Sequence, residues 1–526
     1  MNTLDHLIPI IKRNIKKFKK SGVLAVRPGF CHENGWPTKE AAIVAVMSRN
    51  AKKVKLPSKV EGTPVEARPA TDLEQFSHDQ PDKFSAVADH RAELRGTSIL
   101  PEFNPASGTV KSPISPKVTA ARKQKIPLQY VPAKVPLAPV AGKIPIVCHA
   151  SPDAGWPTLV DFVSKTKDHL KVSMYDFTSD HILKLFEGQL QKSKIQMTID
   201  DPPKNPSADQ TDPETVADLK STSAAKFSSA WALVESSPEA DSWMFPTAYH
   251  IKVMVRDSDT VWLSSGNLNN SNQPDMDPIN NPKPSDQANA KASDRDWHVI
   301  IPSTDLAKTF EAYLDTDFQQ ATLHAASGVN TGKAAAKPLQ TPKLSSIRQP
   351  VGGNFNFAAP MTVSEQMTIT PLLTPDTGVY QKAVLDLINS VQQSLYIQLQ
   401  YIHPTNDATK AKFTELIDAV AAKINAKKDV RIILSEFQVL KGGLDALQAA
   451  GVDLSHVKIQ NNVHNKGFVF DHKIVVVSSM NWSGEGVLSN RDAGVIIENA
   501  TAAQYYEKIF LDDWANHAQQ KIPPTS

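Results

Sequence analysis

A chain of 526 residues is long enough for roughly two to four domains with sizeable buried cores. With 40% hydrophobic and 21% charged residues and a net charge of only +2, it is neither a disordered chain nor a molecule whose overall charge collects polyanions. Two cysteines, Cys31 and Cys148, leave no disulfide framework or cysteine metal site, and no apolar run approaches the ~20 residues of a membrane-spanning helix.

Residues 4–20 (DHLIPIIKRNIKKFKKS) put Leu7, Ile8, Ile11, Ile15 and Phe18 near one face of a helix and crowd Lys12, Arg13, Lys16, Lys17, Lys19 and Lys20 onto the rest. Such a segment either touches a membrane surface or nucleic acid, or docks its apolar side on the body; Pro9 interrupts the pattern and favours docking. The apolar patch precedes its basic cluster, the reverse of a secretory signal. The expectation is a cytoplasmic protein with no signal peptide and, at most, peripheral membrane contact through residues 4–20. From Gly22 to Ala70, the runs GVLAVRPGF, AAIVAVM and GTPVEARPA are split by Pro-Gly, Asn-Gly and Glu-Gly turns. They predict a small β-rich module of unassigned function within a first unit, 1–75. Between Gly108 and Lys143 lie seven basic residues and no acidic one, among repeated prolines, so 76–145 reads as an extended Pro/Lys-rich linker.

An internal repeat follows. Residues 151–178 match 374–404: a Pro-Asp-x-Gly turn, an amphipathic helix, then a strand, with Leu159, Phe162 and Val163 corresponding to Val384, Leu387 and Ile388. A second helix and a β-branched run (KIQMTID, DVRIILSEF) come next, which is the grammar of an α/β sheet covered by helices. The repeats are placed at 146–325 and 361–526, joined by an acid-free linker at 326–360. Polar, proline-rich loops at 200–215 and 271–296 occur only in the first repeat and are expected to wall a substrate cleft.

Each repeat then carries His-x-Lys-x4-Asp followed by Ser-Ser-x-Asn: His250, Lys252, Asp257, Ser264, Ser265 and Asn267, and again His464, Lys466, Asp471, Ser478, Ser479 and Asn481. In a strand, positions i and i+2 share a face, so histidine and lysine point the same way. Val253, Val255, Phe468 and Phe470 suit a packed opposite face or core. Half a site in each repeat becomes a whole one when two repeats face each other. Two lysines and two asparagines can offset the charge gathering on a phosphorus under attack. One neutral histidine can attack it, and a second, protonated, can serve the leaving oxygen and then water. Histidine suits both tasks because its ordinary pKa is near 6.5. No cofactor or metal is called for, since the sequence has no acidic cluster arranged to hold one. Downstream, Asp294-Arg295-Asp296 and Asn490-Arg491-Asp492 each precede an apolar strand, and a carboxylate there could orient a histidine ring.

The duplicated motif, with SSMNWSGEGVLSNRDAGVII after its second copy, resembles the phospholipase D superfamily over roughly residues 146–515. The resemblance implies a pseudo-twofold body of two α/β/α repeats with the site on the seam. It implies that His250 and His464 are nucleophile and general acid/base, with His250 the nucleophile. It further implies that Lys252, Lys466, Asn267 and Asn481 bind phosphate, that Asp257 and Asp471 brace the hairpins, and that Ser265, Ser479, Asp296 and Asp492 support the site. Serine replaces the family's usual glycine at Ser264 and Ser478, and Asp296 and Asp492 stand where glutamate is commoner. Tyrosyl-DNA phosphodiesterases, which lack the motif's aspartate, fit poorly.

Three functions compete: a phosphodiesterase or transphosphatidylase acting on phospholipid, a nuclease, and a lipid- or nucleic-acid-binding scaffold with a dead site. The acidic 200–215 loop weighs against a long polyanion, and intact duplicates of the phosphate-facing residues weigh against the scaffold. A monomer with an internal pseudo-dimer is expected. His149, His169, His181, His298, His403 and His472 lack a comparable frame, though His403 could line the cleft. Trp243, Trp262, Trp297 and Trp482 read as core or rim.

Overall fold

The computed structural model describes residues 4–51, 54–81, 100–107, 110–111, 124–127, 130–200, 208–235, 240–243, 245, 248–326, 353–376, 379–404 and 409–520. Residues 82–99, 108–109, 112–123 and 128–129 of the first linker, 201–207 of the first polar loop, 327–352 of the second linker and the Trp243 side chain lie outside the described residues.

One fourteen-stranded sheet organises the body. The first repeat supplies β1 (Val140–Ser151), β2 (His169–Met174), β3 (Lys194–Ile199), β4 (Phe227–Trp231), β5 (Lys252–Arg256), β6 (Thr260–Ser264) and β7 (Asp296–Pro302). The second supplies β8 (Met361–Thr374), β9 (Ser394–Leu399), β10 (Asp429–Leu434), β11 (Val457–Ile459), β12 (Lys466–Phe470), β13 (Ile474–Ser478) and β14 (Asp492–Glu498). Their order, β4-β3-β2-β5-β6-β7-β1-β8-β14-β13-β12-β9-β10-β11, is a palindrome in which each strand mirrors the one seven later. The halves join where β1 and β8 pair antiparallel, from Cys148 opposite Met361 to Val140 opposite Ile369. Strands β2, β3 and β4 run parallel, as do β9, β10 and β11, and the hairpins β5–β6 and β12–β13 run antiparallel beside them.

The side-chain period of two explains the layering. In β5, Val253 and Val255 enter a central core shared with Val469, Val475 and Val495 of the other repeat, while Met254 turns to an outer core with Phe162, Phe186 and Trp262. Helices α1 (Gly155–Ser164) and α2 (Asp180–Leu190) cover that outer face of the first half, and α4 (Val379–Ser390) and α5 (Lys410–Asn425) that of the second. Helices α3 (Thr304–Ala326) and α6 (Ala500–Asn516) pack into the central core through Phe310, Leu314, Tyr506 and Phe510. Phe468 and Phe470 depart from the sequence expectation. They share the face of Lys466 and fill the second outer core, leaving Val469 to the centre. Gly467 is required there, because a side chain would collide with the Trp297 ring of the first repeat.

The amino-terminal unit is a six-stranded sheet, with a helix over Leu7–Asn14 that buries Leu7 and Ile11. Ile11 and Phe18 pack on Val26, Ile43 and Ala45, and Leu4, Leu7 and Phe30 meet Ala446 and Ala449 of the second repeat. Pro9 falls in the first turn, where no intrahelical donor is lost. The apolar face offered above for membrane contact is therefore already covered, while Lys12, Arg13, Lys16, Lys17, Lys19 and Lys20 stay exposed. Arg27, buried, bonds Asp445 at 3.2 Å and Glu74 at 3.3 Å and ties this unit to the second repeat.

Two sequence boundaries shift. Strand β1 starts at Val140, ahead of the placed limit at 146, because alternate residues Ile144, Ile146 and Cys148 are buried despite the proline-rich surroundings. The 200–215 segment ends in a helix, Asp212–Thr222, started by a Thr211/Glu214 capping box with proline in its first turn. Trp262, Trp297 and Trp482 are fully buried. Among the described residues no helix is long and apolar enough to cross a membrane.

Candidate active site

The hairpin ends carry the site. Asp257 and Asp471 occupy left-handed backbone positions (φ 51° and 48°) in the tight turns of the two hairpins. The Asp257 carboxylate accepts the backbone N–H groups of Lys167, Asp168 and His169, and Asp471 those of Gln392, Gln393 and Ser394. Each aspartate thus ties its hairpin to the start of the neighbouring parallel strand, β2 or β9. These N–H bonds hold both carboxyls below their ordinary range against the opposing pull of burial.

At the other end of β5 and β12 the histidines sit two residues before the strand, and each is held by the opposite repeat. His250 Nδ1 lies 2.8 Å from Asp492 Oδ1, and His464 Nδ1 lies 3.1 Å from Asp296 Oδ1. The exchange follows from the seam: Tyr249 bridges to Arg491 and Val463 to Arg295, which brings each histidine beside the far repeat's Arg-Asp pair. Ser265 and Ser479 donate to the same carboxylate oxygens at 2.7 and 2.6 Å. Lys252 Nζ donates to the His250 carbonyl at 2.6 Å, and Lys466 Nζ to the His464 carbonyl while lying 3.0 Å from both His464 ring nitrogens. Asn267 and Asn481 are buried, and in each the amide oxygen has no hydrogen-bond partner among the described residues. The unmet oxygen is an acceptor and suits a ligand hydroxyl or N–H, while a phosphate oxygen would be met from the Nδ2 side of each amide. Ser264 bonds His298 Nδ1 at 2.7 Å, and Ser478 bonds the Lys466 carbonyl at 2.7 Å.

The electrostatics are unequal. Burial, then the charges of Lys252, Lys466 and His464, push His250 well below its ordinary pKa and favour the neutral ring. Burial pushes the Asp492 carboxyl up to about 8. Burial opposes ionisation of Asp296 too, but His464 and Lys466 hold its carboxyl well below the usual range. Burial also lowers Lys252. His464, Lys252 and Lys466 are all near enough to His250 for their charges to act on it.

Several supports escaped the sequence. Arg295, buried, bonds Asp513 at 2.9 Å and Asp153 at 2.5 Å, and Arg491 bonds Asp317 at 2.8 Å and also Asp376 and the Tyr130 hydroxyl. Asp153 and Asp376 are the aspartates of the two Pro-Asp-x-Gly turns, and the arginines are the centres of the two triplets, so the signal was present without its pairing. Tyr175 lies edge-on to His250, with ring centroids 4.8 Å apart, and its ring centroid is 5.1 Å from Lys252 Nζ. His298, passed over above, bonds Ser151 and Ser264 and is kept neutral by burial, with its pKa pushed down to about 4. His403 stacks on Tyr401 at 3.9 Å.

A family model described as "Cardiolipin synthase, PLD-like domain" matches residues 384–514, most of the second repeat. The chain is similar to a phospholipase D of Rickettsia conorii, 28% identical over 150 residues that are 28% of this chain and 68% of that protein. It is also similar to the mitochondrial cardiolipin hydrolase of Xenopus laevis, 24% identical over 174 residues, 32% of this chain and 80% of that one. Among solved structures it is similar to a phosphatidylserine synthase of Haemophilus influenzae (14% identity, 72% of this chain and 89% of that one, TM-score 0.45). A second is the phospholipase D family member Nuc of Salmonella typhimurium (20% identity, 29% and 96%, TM-score 0.24). By its doubled motif and these sequence relatives, the chain is similar to the phospholipase D superfamily, and the relatives named phospholipase D and cardiolipin hydrolase support a phosphodiesterase-type enzyme.

Proposed function

We propose that the chain hydrolyses or transfers a phospholipid phosphodiester through a phosphohistidine formed on His250. The observation that carries this reading is the crossed pair of carboxylates, which holds Nδ1 of each ring and points to Nε2 as the reacting atom, with Lys466 Nζ beside that of His464. His250 Nε2 attacks phosphorus and the bond to the leaving oxygen breaks, with His464 giving that oxygen its proton. Water then attacks phosphorus, passes a proton to His464, and the P–N bond breaks. Lys252, Lys466, Asn267 and Asn481 take the non-bridging oxygens, and Asp296 and Asp492 hold the rings. The neutral state favoured for His250 and the ionised Asp296 beside His464 support this division of roles.

Phospholipid is favoured over nucleic acid by two features. Relatives by sequence are named phospholipase D and cardiolipin hydrolase. The carboxyls of Asp176 and Asp294 lie near enough to the reacting groups to feel His464, an unfavourable wall for a polyanion. Purified protein in excess EDTA is expected to cleave labelled phosphatidylcholine vesicles and to leave plasmid DNA intact. DNA cleavage alone would make the chain a nuclease, and cleavage of neither would make it a binding scaffold.

A pH dependence follows. Below about pH 8 the His250–Asp492 pair retains an extra proton, because burial disfavours the ionised carboxylate. The nucleophilic form, Nδ1–H donated to an ionised Asp492, accumulates only as that proton leaves. The value of kcat/KM for the free enzyme is therefore expected to climb with pH through an ascending limb near pH 8. A profile already flat from about pH 6 upward would contradict the assignment.

A further inference from the structure

Around the two carboxylates the half-sites share the same histidine and serine contacts but differ in one amide donor. Each carboxylate receives a histidine Nδ1 and a serine hydroxyl on Oδ1, and each serine in turn accepts a backbone N–H, from Trp297 or Ala493, at 3.0 Å. Asp296 Oδ2 additionally accepts Asn272 Nδ2 at 2.8 Å, whereas Asp492 Oδ2 is buried with no partner at that distance among the described residues, and the carboxyl has only the weaker help of the Asn490 side chain. When Ser264 to Asn272 is laid against Ser478 to Gly486, the counterpart of Asn272 is Gly486, which has no side chain to donate. Nor could one be added, because a Cβ at 486 would collide with the Asn481 carbonyl oxygen.

We infer that Asn272 is the positioning residue that makes the two histidines unequal, by bracing Asp296 as an anion so that its partner His464 works as an imidazolium acid. This rests on the phosphohistidine reading above. A donor on a buried carboxylate favours the ionised form, so the shared proton stays on His464 as an ion pair. Without that donor, burial moves the proton onto the carboxyl, and a neutral imidazole is a poor acid; the His250–Asp492 pair has this less braced arrangement, so its ring stays neutral and becomes the nucleophile once Asp492 gives up its proton. The other titratable groups acting on Asp296 are Lys466, His464 and the buried, neutral His298, with Asp294 before it in the turn; Lys252 and Lys466 act on Asp492. Asn272 has other bonds: its Oδ1 accepts the Asn267 N–H at 3.1 Å, and its Nδ2 also reaches Asp294 at 3.0 Å. Its loss could therefore disturb phosphate binding as well, and the test separates the two effects.

The rate of phosphoenzyme formation is measured by quenching in alkaline detergent for phosphodiesters whose leaving alcohols span a wide pKa range. The proteins are wild type, Asn272→Gly, which copies the second repeat, and Asn272→Ala, which adds no backbone freedom. Loss of acid catalysis slows an alkyl leaving group by ~10-fold, while a p-nitrophenyl leaving group, which needs no proton, changes by less than about threefold. The dependence on leaving-group pKa therefore steepens in both variants. Equal loss for all substrates, as expected if Asn272 only places Asn267, would overturn the inference, and so would an unchanged profile. Absence of any phosphoenzyme in wild type would instead remove the phosphohistidine reading itself.

Discussion

Replacing either site histidine by alanine is expected to lower turnover of an alkyl phosphodiester by ~10⁴-fold or more, with the two variants failing at different steps. His250→Ala removes the attacking nitrogen, so no phosphoenzyme forms with any leaving group. His464→Ala still forms it from a p-nitrophenyl diester, whose leaving oxygen needs no proton, but cannot activate water to break it. Phosphoenzyme should therefore accumulate in the second variant alone. The fold should persist with a loss of about 1–3 kcal/mol, because the carboxylates lose the histidine but keep their serine donors. Equal behaviour of the two variants, or activity surviving in either, would refute the assigned roles.

Arg491→Met is expected to destabilise the fold by about 3–5 kcal/mol. The guanidinium is fully buried, spans Asp317 of α3 and Asp376 of the turn after β8, and lies 4.8 Å from the Phe245 ring centroid. Replacing it leaves two carboxylates in the interior without their counter-charge. That loss is a large share of the ~5–15 kcal/mol that holds a typical domain together. Urea unfolding of the variant against wild type measures it, and an unchanged midpoint would show that the seam does not depend on this cluster. Activity should fall as well, since Arg491 adjoins the Asp492 that holds His250.

Much of this arrangement was legible in the chain because its signals are local. The His-x-Lys pairs, the turn aspartates and the Ser-Ser-x-Asn ends are each set by a few consecutive residues. The repeated helix pattern of Leu159, Phe162 and Val163 with Val384, Leu387 and Ile388 located the two halves. What could not be read is what crosses between them. His250 meets a carboxylate 242 positions away and His464 one 168 positions away, and nothing in the local spacing says that each ring is held by the other repeat. The same holds for Arg295 with Asp513 and Arg491 with Asp317. Strand β1 was obscured by the prolines and lysines around it, and the helix at Asp212 by its polarity, although its capping box was visible. The inner position of Val469 depends on Gly467 yielding to Trp297, a contact between repeats.

The central claim is that two repeats build one reaction centre. Rapid quenching with a phosphorus-labelled diester, followed by counting and mapping of the acid-labile label, tests it most directly. One phosphoryl group per chain, on the peptide carrying His250, is the predicted result. Two labels per chain, one on each histidine, would mean two separate centres and would contradict the account.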